Sequence, residues 1–309
     1  MNKSQLYLNS IKLFSTKPLR TPNRLSMNLL VKNEVDIIAD NIKFHATQGV
    51  DCFVVMDNGS TDGTREAVAA LAKDYEIHLI DRITTDYQQS NWKSEMAFVS
   101  RDKLGAQWSI ANDADEFWLA DSGDLKNELR SKDSIVNCKR HNMIMPYTEF
   151  EKGTPYYEAD LQVNYPIFYQ GIDQINDPHQ SIMLGKIHGK VIVNNQGLLR
   201  VKGGNHRAWH LWERINERAT SAINVYHYPI REKEHFVDHI KNRQILLDKG
   251  VTKMGNHYRR WCKLYKEGLL EEELQRLMPL DKDIESLLKF GIVRENNEPR
   301  NRIKQALGL

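Results

Sequence analysis

The sequence predicts an α/β protein: a largely parallel sheet flanked by helices, followed by a helical C-terminal extension. Three observations carry this. Over residues 24–120, apolar runs of strand length alternate with stretches of helical spacing, the pattern of βαβ units. Between about 135 and 200, short strand-like runs are interrupted by Pro146, Pro155 and Pro166, which suits mixed or antiparallel strands added to the first sheet. Beyond 208 nearly every stretch has helical periodicity.

Taken in order, residues 24–33 form an apolar run after Pro22 and read as a buried strand. Residues 34–47 place Val35, Ile38, Ile42 and His45 on one helical face, and Gly49 closes that helix. Residues 50–57 are apolar and β-branched, a second strand, followed by a Gly-containing turn and a helix from Thr64 to about Lys73. A strand at 77–80, a helix at 91–103 and a strand at 108–112 complete the first half, and residues 113–117 read as the loop after it. Strands are expected at 134–141, 165–169 and 190–194. Helices are expected at 208–222, 233–249, 256–268, 271–277 and 281–289. The resulting division is an N-terminal segment 1–23, a catalytic domain 24–207 with halves 24–120 and 121–207, and a helical region 208–309.

Composition narrows the function. The 309 residues carry 43 Lys plus Arg against 41 Asp plus Glu, a net charge of +2, which argues against a nucleic-acid-coating protein. With 40% hydrophobic and 27% charged residues the chain can bury a core. No apolar run approaches the roughly 20 residues of a membrane span, and the first 20 residues lack the apolar core of a secretory signal. Cys52, Cys138 and Cys262 are far apart and odd in number, so they read as buried small hydrophobes in a reducing, cytoplasmic compartment.

Two motifs carry chemistry. Asn112-Asp-Ala-Asp-Glu-Phe-Trp118 sits at the end of a buried strand, where Asp113 and Asp115, two apart, point the same way if the strand continues. Three acids in four residues after an apolar strand are costly without a counter-ion, and Mg²⁺ or Mn²⁺ would supply one. The plainer reading is a helix N-cap with acids near its positive end. Asp57-Asn-Gly-Ser-Thr-Asp-Gly-Thr64 also ends a strand, and offers Asp57 to a ribose or base edge; equally, these residue types dominate ordinary turns. Neither a P-loop nor the dinucleotide Gly-x-Gly-x-x-Gly fingerprint is present.

Leu30-Val-Lys-Asn-Glu34, Met56 to Thr64 and Asp113-Ala-Asp-Glu-Phe-Trp118, in that order, resemble the family 2-like glycosyltransferases of the GT-A fold. Tyr226-His-Tyr-Pro-Ile230, followed by Arg231-Glu-Lys-Glu-His-Phe236, is similar to a later motif of that family. The resemblance spans about residues 24–245. It implies a nucleotide-sugar donor (UDP- or GDP-sugar) bound by Asn33, Glu34, Asp57, Asn58, Lys93 and Asp113. It implies Mn²⁺ or Mg²⁺ on Asp113 and Asp115, with His206 of Gly203-Gly-Asn-His-Arg207 as a further ligand. A loop histidine bonded to backbone is the competing reading of His206.

An inverting transferase needs a general base; Glu149, Asp173 and Glu116 are the candidates, with Asp177 nearby in sequence. The pairs His206/His210 and His235/His239 have the spacing of zinc ligands on a helix, without the rest of a zinc motif. Lys186, His188 and Lys190 suit a solvated strand face, and Trp92 suits the core better than a sugar pocket. The basic, aromatic stretch 258–266 fits peripheral contact with an anionic membrane face, or a packing helix with a solvated basic side. The expected activity is transfer of a sugar to a glycan or glycolipid hydroxyl in bacterial surface polysaccharide assembly. The alternatives are a nucleotidyltransferase and a non-catalytic glycan-binding protein on a degenerate transferase fold.

Overall fold

The computed structural model describes residues 23–84, 89–167, 181–211, 216–251 and 254–309. It resolves into two compact units: residues up to 140, 188–225 and 306–309 in one, and 141–187 with 226–305 in the other. The division expected at 207/208 is not the one observed, because the chain returns to the first unit after 187 and leaves it again after 225.

In the first unit, β1 (Leu25–Val31), β2 (Cys52–Asp57), β3 (Ile77–Asp81) and β4 (Trp108–Asn112) are parallel, in the order β3-β2-β1-β4. Between them run α1 (Ile38–Thr47), α2 (Thr64–Leu71) and α3 (Gln89–Asp102). All residues of β2 and β4 are buried, as strands covered on both faces require. Strand alternation separates the two faces of β1. Ser26 and Asn28 meet Ser100 of α3, with Asn28 Oδ1 accepting from Ser100 Oγ at 2.7 Å. Met27, one residue out of phase, meets Asn112 on the face where Asn41 of α1 lies.

Beyond β4 the direction changes. β8 (Lys190–Asn194) pairs antiparallel with β4 and with the first part of β6 (Ile135–Ile144). β5 (Glu116–Ala120) pairs with β11 (Glu217–His227), and β9 (Leu198–Val201) with β10 (Ala208–His210). Gly189 lies at the point of closest approach: a Cβ there would sit 2.4 Å from the carbonyl oxygen of Cys138. Gly189→Ala is therefore expected to force β8 and β6 apart and lower stability by about 1–3 kcal/mol, read by urea unfolding.

The second unit holds the end of β6 paired to β7 (Leu161–Val163), which pairs in turn with β12 (Val293–Glu295). It also holds α4 (Tyr147–Glu151), α5 (Lys233–Asp248), α6 (Asn256–Glu267), α7 (Leu270–Leu277), α8 (Asp281–Lys289) and most of α9 (Glu298–Leu307). The apolar side of α6 is spent on packing: Trp261, Cys262 and Leu264 are buried, and Trp261 Nε1 donates to buried Glu273 at 3.0 Å. Among the described residues no helix is long and apolar enough to cross a membrane.

Three expectations about elements fail. At 208–210 and 217–222, where a helix is expected, the structure has β10 and the first part of β11. There, Thr220, Ile223 and Val225 supply β-branched side chains, while Glu217, Ala219 and Ser221 alternate outward; packing of that alternation overrides the helix formers Glu217, Arg218 and Ala219. The loop expected at 113–117 is a tight turn that re-enters a strand at Glu116. A strand at 165–169 is absent from its described part, Tyr165–Ile167. All three cysteines are free and buried, as expected.

Candidate active site

The order β3-β2-β1-β4 places a topological switch point at β1, whose neighbours β2 and β4 are reached by connections running in opposite directions. A crevice outside the C-terminal ends of β1 and β4 is where such sheets bind ligands. Asn33 and Glu34 follow β1, Asp57 closes β2 and Asp113 follows β4, so the topology gathers these residues at one edge.

The loop after β2 is built around two side chains. Asp57 Oδ1 accepts from the backbone N–H groups of Gly59 and Ser60, both at 2.9 Å, while Oδ2 is buried and has no protein partner. Asn33, held in the left-handed region at φ 57°, accepts through Oδ1 from Thr61 N and donates its own N–H to Ser60 Oγ. Asn33 is thus a brace for the loop, and its side-chain oxygen is already used. Glu34 donates its N–H to Thr64 Oγ1 at 2.8 Å. The Asn58 amide, turned so that its nitrogen faces the carbonyl oxygens of Arg82 and Thr84, donates to both at 2.7 and 3.1 Å.

The turn after β4 is fixed from α1. Asn41 Nδ2 donates to the carbonyl oxygens of Ala114 (2.8 Å) and Glu116 (3.0 Å), and Asn112 Nδ2 also donates to Glu116 O. Trp118 Nε1 donates to Asn112 Oδ1, and Trp118 N to His45 Nε2. His45 Nδ1–H donates to Asn41 O; burial pushes this imidazole down to about 3, so it stays the neutral tautomer that the network needs. Because residues 113–115 form a turn, strand alternation does not align Asp113 with Asp115.

The acids have their counter-ions within the chain. Lys93 Nζ, on α3, donates to Asp113 Oδ1 at 2.8 Å, and Lys190 Nζ, on β8, donates to Asp113 Oδ2 at 2.7 Å. Lys190 also reaches Glu116 Oε1 at 2.9 Å, and Arg140 NH1 donates to that same oxygen at 2.7 Å. Both lysines and Glu116 are essentially unexposed, whereas the Asp113 side chain is 34% exposed. Burial opposes ionisation of Asp113, but Lys190 and Lys93 outweigh it and hold the carboxyl well below its usual 3.8. Burial likewise opposes charge on Lys190, yet Asp113 and Glu116 raise it above 10.5; for Lys93 burial wins and the value falls. Asp113 and Glu116 thus have counter-ions within the chain, and Lys190 is buried among them, not on the solvated strand face expected for it.

The remaining candidates separate. Glu116 is fully buried, so it orients Lys190 and Arg140 and is not placed to meet an acceptor hydroxyl; its Oε2 has no partner. Glu149 lies in the second unit on α4, where Lys152 (2.7 Å) and Thr154 Oγ1 (2.9 Å) engage its carboxylate, and the Lys152 bond lowers it. Asp173 and Asp177 lie outside the described residues. Trp92 is in the core with Val54, Met56 and Met96. His206 Nδ1–H donates to Gly189 O at 2.7 Å, the backbone-bonded loop histidine of the competing reading, and His210 on β10 bonds Asn194 O. Among the described residues, no cluster of three metal-ligating side chains unites His206 with Asp113 or Asp115.

Burial first, then Lys190 and Arg140, push His206 down to about 4 despite its bond to Gly189. An acid limb near 6.5 is therefore not expected from this residue. A ¹⁵N NMR titration should show the ring neutral at pH 6 with a midpoint about 4, and a midpoint near 6.5 would contradict the buried geometry.

The residues present fit a divalent cation through Asp115. Both oxygens of Asp113 already hold an ammonium group, so Asp115 would be the principal carboxylate. Water and diphosphate oxygens would complete the shell, the usual habit of Mg²⁺ at phosphate sites. Sequence reasoning missed Arg140, Asn41 and Asn112 in this network. A polar residue at the end of a mainly apolar strand was the available signal for Asn112; for the other two there was none.

No protein-family model and no curated protein matches the sequence. Among solved structures, S. aureus TarS 1–349 superposes with a TM-score of 0.41 at 13% identity, over 92% of this chain and 79% of that one. The same protein in complex with UDP-GlcNAc gives 0.40 at 13% identity, over 92% and 80%. Glucosyl-3-phosphoglycerate synthase from Mycobacterium tuberculosis, in complex with phosphoglyceric acid, gives 0.29 at 14% identity, over 63% and 62%. The superpositions are too loose and the identities too low to carry a role from those proteins to this one.

Proposed function

We propose that this protein is a glycosyltransferase that moves a sugar from a nucleotide donor, a UDP- or GDP-sugar, to a hydroxyl of a glycan or glycolipid, with inversion. Bacterial surface polysaccharide assembly is the proposed setting. The observation that supports it best is Asp57 Oδ2, a buried carboxylate oxygen without a partner at a strand end beside the switch point. A group so placed accepts a hydrogen bond from a ligand N–H or O–H, as a nucleoside offers, and leaving it unmade is costly. Beside it, Asp113 is held ionised by two buried lysines and keeps free lone pairs for a donor hydroxyl. Lys93 and Lys190 bring positive charge close to where a diphosphate leaving group gains negative charge. A divalent cation held by Asp115 would add Lewis-acid stabilisation of that leaving group.

The test is hydrolysis of a panel of nucleotide sugars with and without Mn²⁺, comparing wild type with Asp115→Ala. Turnover is expected to disappear in the variant while the circular dichroism and melting curve persist, since Asp115 lies on a partly exposed turn. Full activity of Asp115→Ala in a chelator overturns the metal assignment; release of pyrophosphate would assign a nucleotidyltransferase instead.

A further inference from the structure

In the first unit, Ser90, Arg200, Lys202, Gly203 and Trp209 line a pocket of about 130 Å³. We infer that this pocket seats the charged group of an anionic saccharide, a sugar bearing phosphate or carboxylate, which serves as the acceptor; this rests on the transferase reading above. A volume of that size admits a phosphate or carboxylate group. Its walls suit an anion. Neither Arg200 nor Lys202 forms an ion pair among the described residues. Arg200 spends only Nε, donating to Ser90 Oγ at 2.9 Å. Its guanidinium lies 5.5 Å from the ring centre of Trp209, a cation–π contact. Trp209 is 43% exposed on a strand whose neighbouring residues Ala208 and His210 are buried, and such a ring is a platform for the apolar face of a sugar outside the pocket.

The turn after Gly203 borders the pocket in sequence. Gly204 and Asn205 are both left-handed, at φ 76° and 60°, and Asn205 is fully buried with neither amide atom hydrogen-bonded. The location fits an acceptor. Ser90, which lines the pocket, and Lys93, which holds Asp113, are three residues apart on α3 and so share a side of that helix, about one turn apart.

The experiment follows the Trp209 indole resonance in ¹⁵N-Trp-labelled protein, assigned with Trp209→Phe. Glucose 6-phosphate, glucuronate, glucose and UDP are each titrated. A saturable shift is expected with glucose 6-phosphate or glucuronate, whichever anion the pocket takes, and none with glucose. Lys202→Glu, a change at an exposed residue, should weaken that binding at least about tenfold and leave UDP affinity unchanged. No shift with either anionic sugar, equal binding in Lys202→Glu, or an equal loss of UDP in that variant overturns the proposal. If UDP fails to bind the wild type while the anionic sugar binds, the transferase reading falls and the pocket stands as an anionic-sugar site without an acceptor role.

Discussion

Lys190→Met is expected to lower the unfolding free energy by about 3–5 kcal/mol, the cost of removing one partner from a buried ion pair. The substitution conserves the length of the side chain, so the loss is electrostatic and not a cavity. Lys190 is 1% exposed and bridges Asp113 and Glu116, which leaves Glu116 with Arg140 alone and Asp113 with Lys93 alone. The pH dependence separates this from a general weakening. Lys190 titrates above 10.5 in the fold, so its contribution is complete at neutral pH and is lost only as pH rises through that raised value. Asp113 titrates well below 3.8, so its contribution is complete above about 3.8 and is lost as pH falls through the lower folded value. Wild type should therefore lose stability below about pH 4, and Lys190→Met should lose less over that interval because its Asp113 is less depressed. Urea unfolding at pH 7 and pH 3 reads both; a variant as stable as wild type at pH 7 would mean that the cluster contributes nothing net.

Asp57→Asn is expected to weaken nucleoside diphosphate binding by about tenfold to a hundredfold without loss of fold, the scale of a hydrogen bond to a charged group. The asparagine oxygen can still accept from Gly59 and Ser60, so the turn keeps its shape. Its amide nitrogen replaces the open Oδ2 with a donor and meets a ligand N–H or O–H with a like group. Calorimetry with UDP or GDP, and with the intact nucleotide sugar, should show the same factor for both. Equal affinity in the variant removes Asp57 from the nucleoside, and a loss confined to the sugar nucleotide moves it to the sugar.

Much of this was legible in the chain. The parallel half follows from local pattern: β2 is wholly apolar until its last residue, β4 is apolar but for Ser109 and Asn112, and Gly49 and the Asp57–Thr64 turn punctuate the chain between elements. The positions of Asp57 and Asp113 at strand ends were legible for the same reason. The helices at 233–248 and 256–267 kept their amphipathic spacing. Residues 217–222 went the other way because helix propensity is worth tenths of a kcal/mol per residue, whereas pairing of β11 with β5 and burial of its Ile223 and Val225 are worth more.

What the sequence by itself determined is the alternation of strand and helix, the strand-end acids and the glycine-dependent turns, since each depends on neighbours within about ten residues. What only the tertiary structure decided is who neutralises those acids. Lys93 is 20 residues from Asp113, Lys190 is 77, and Arg140 is 24 from Glu116. A charge three acids long looks like a metal site when read along the chain. Two of those acids, Asp113 and Glu116, join an internal ion cluster once β8 and β6 bring two cations to them. Electrostatic partners are chosen by distance in space, and no local pattern encodes a separation of 77 residues.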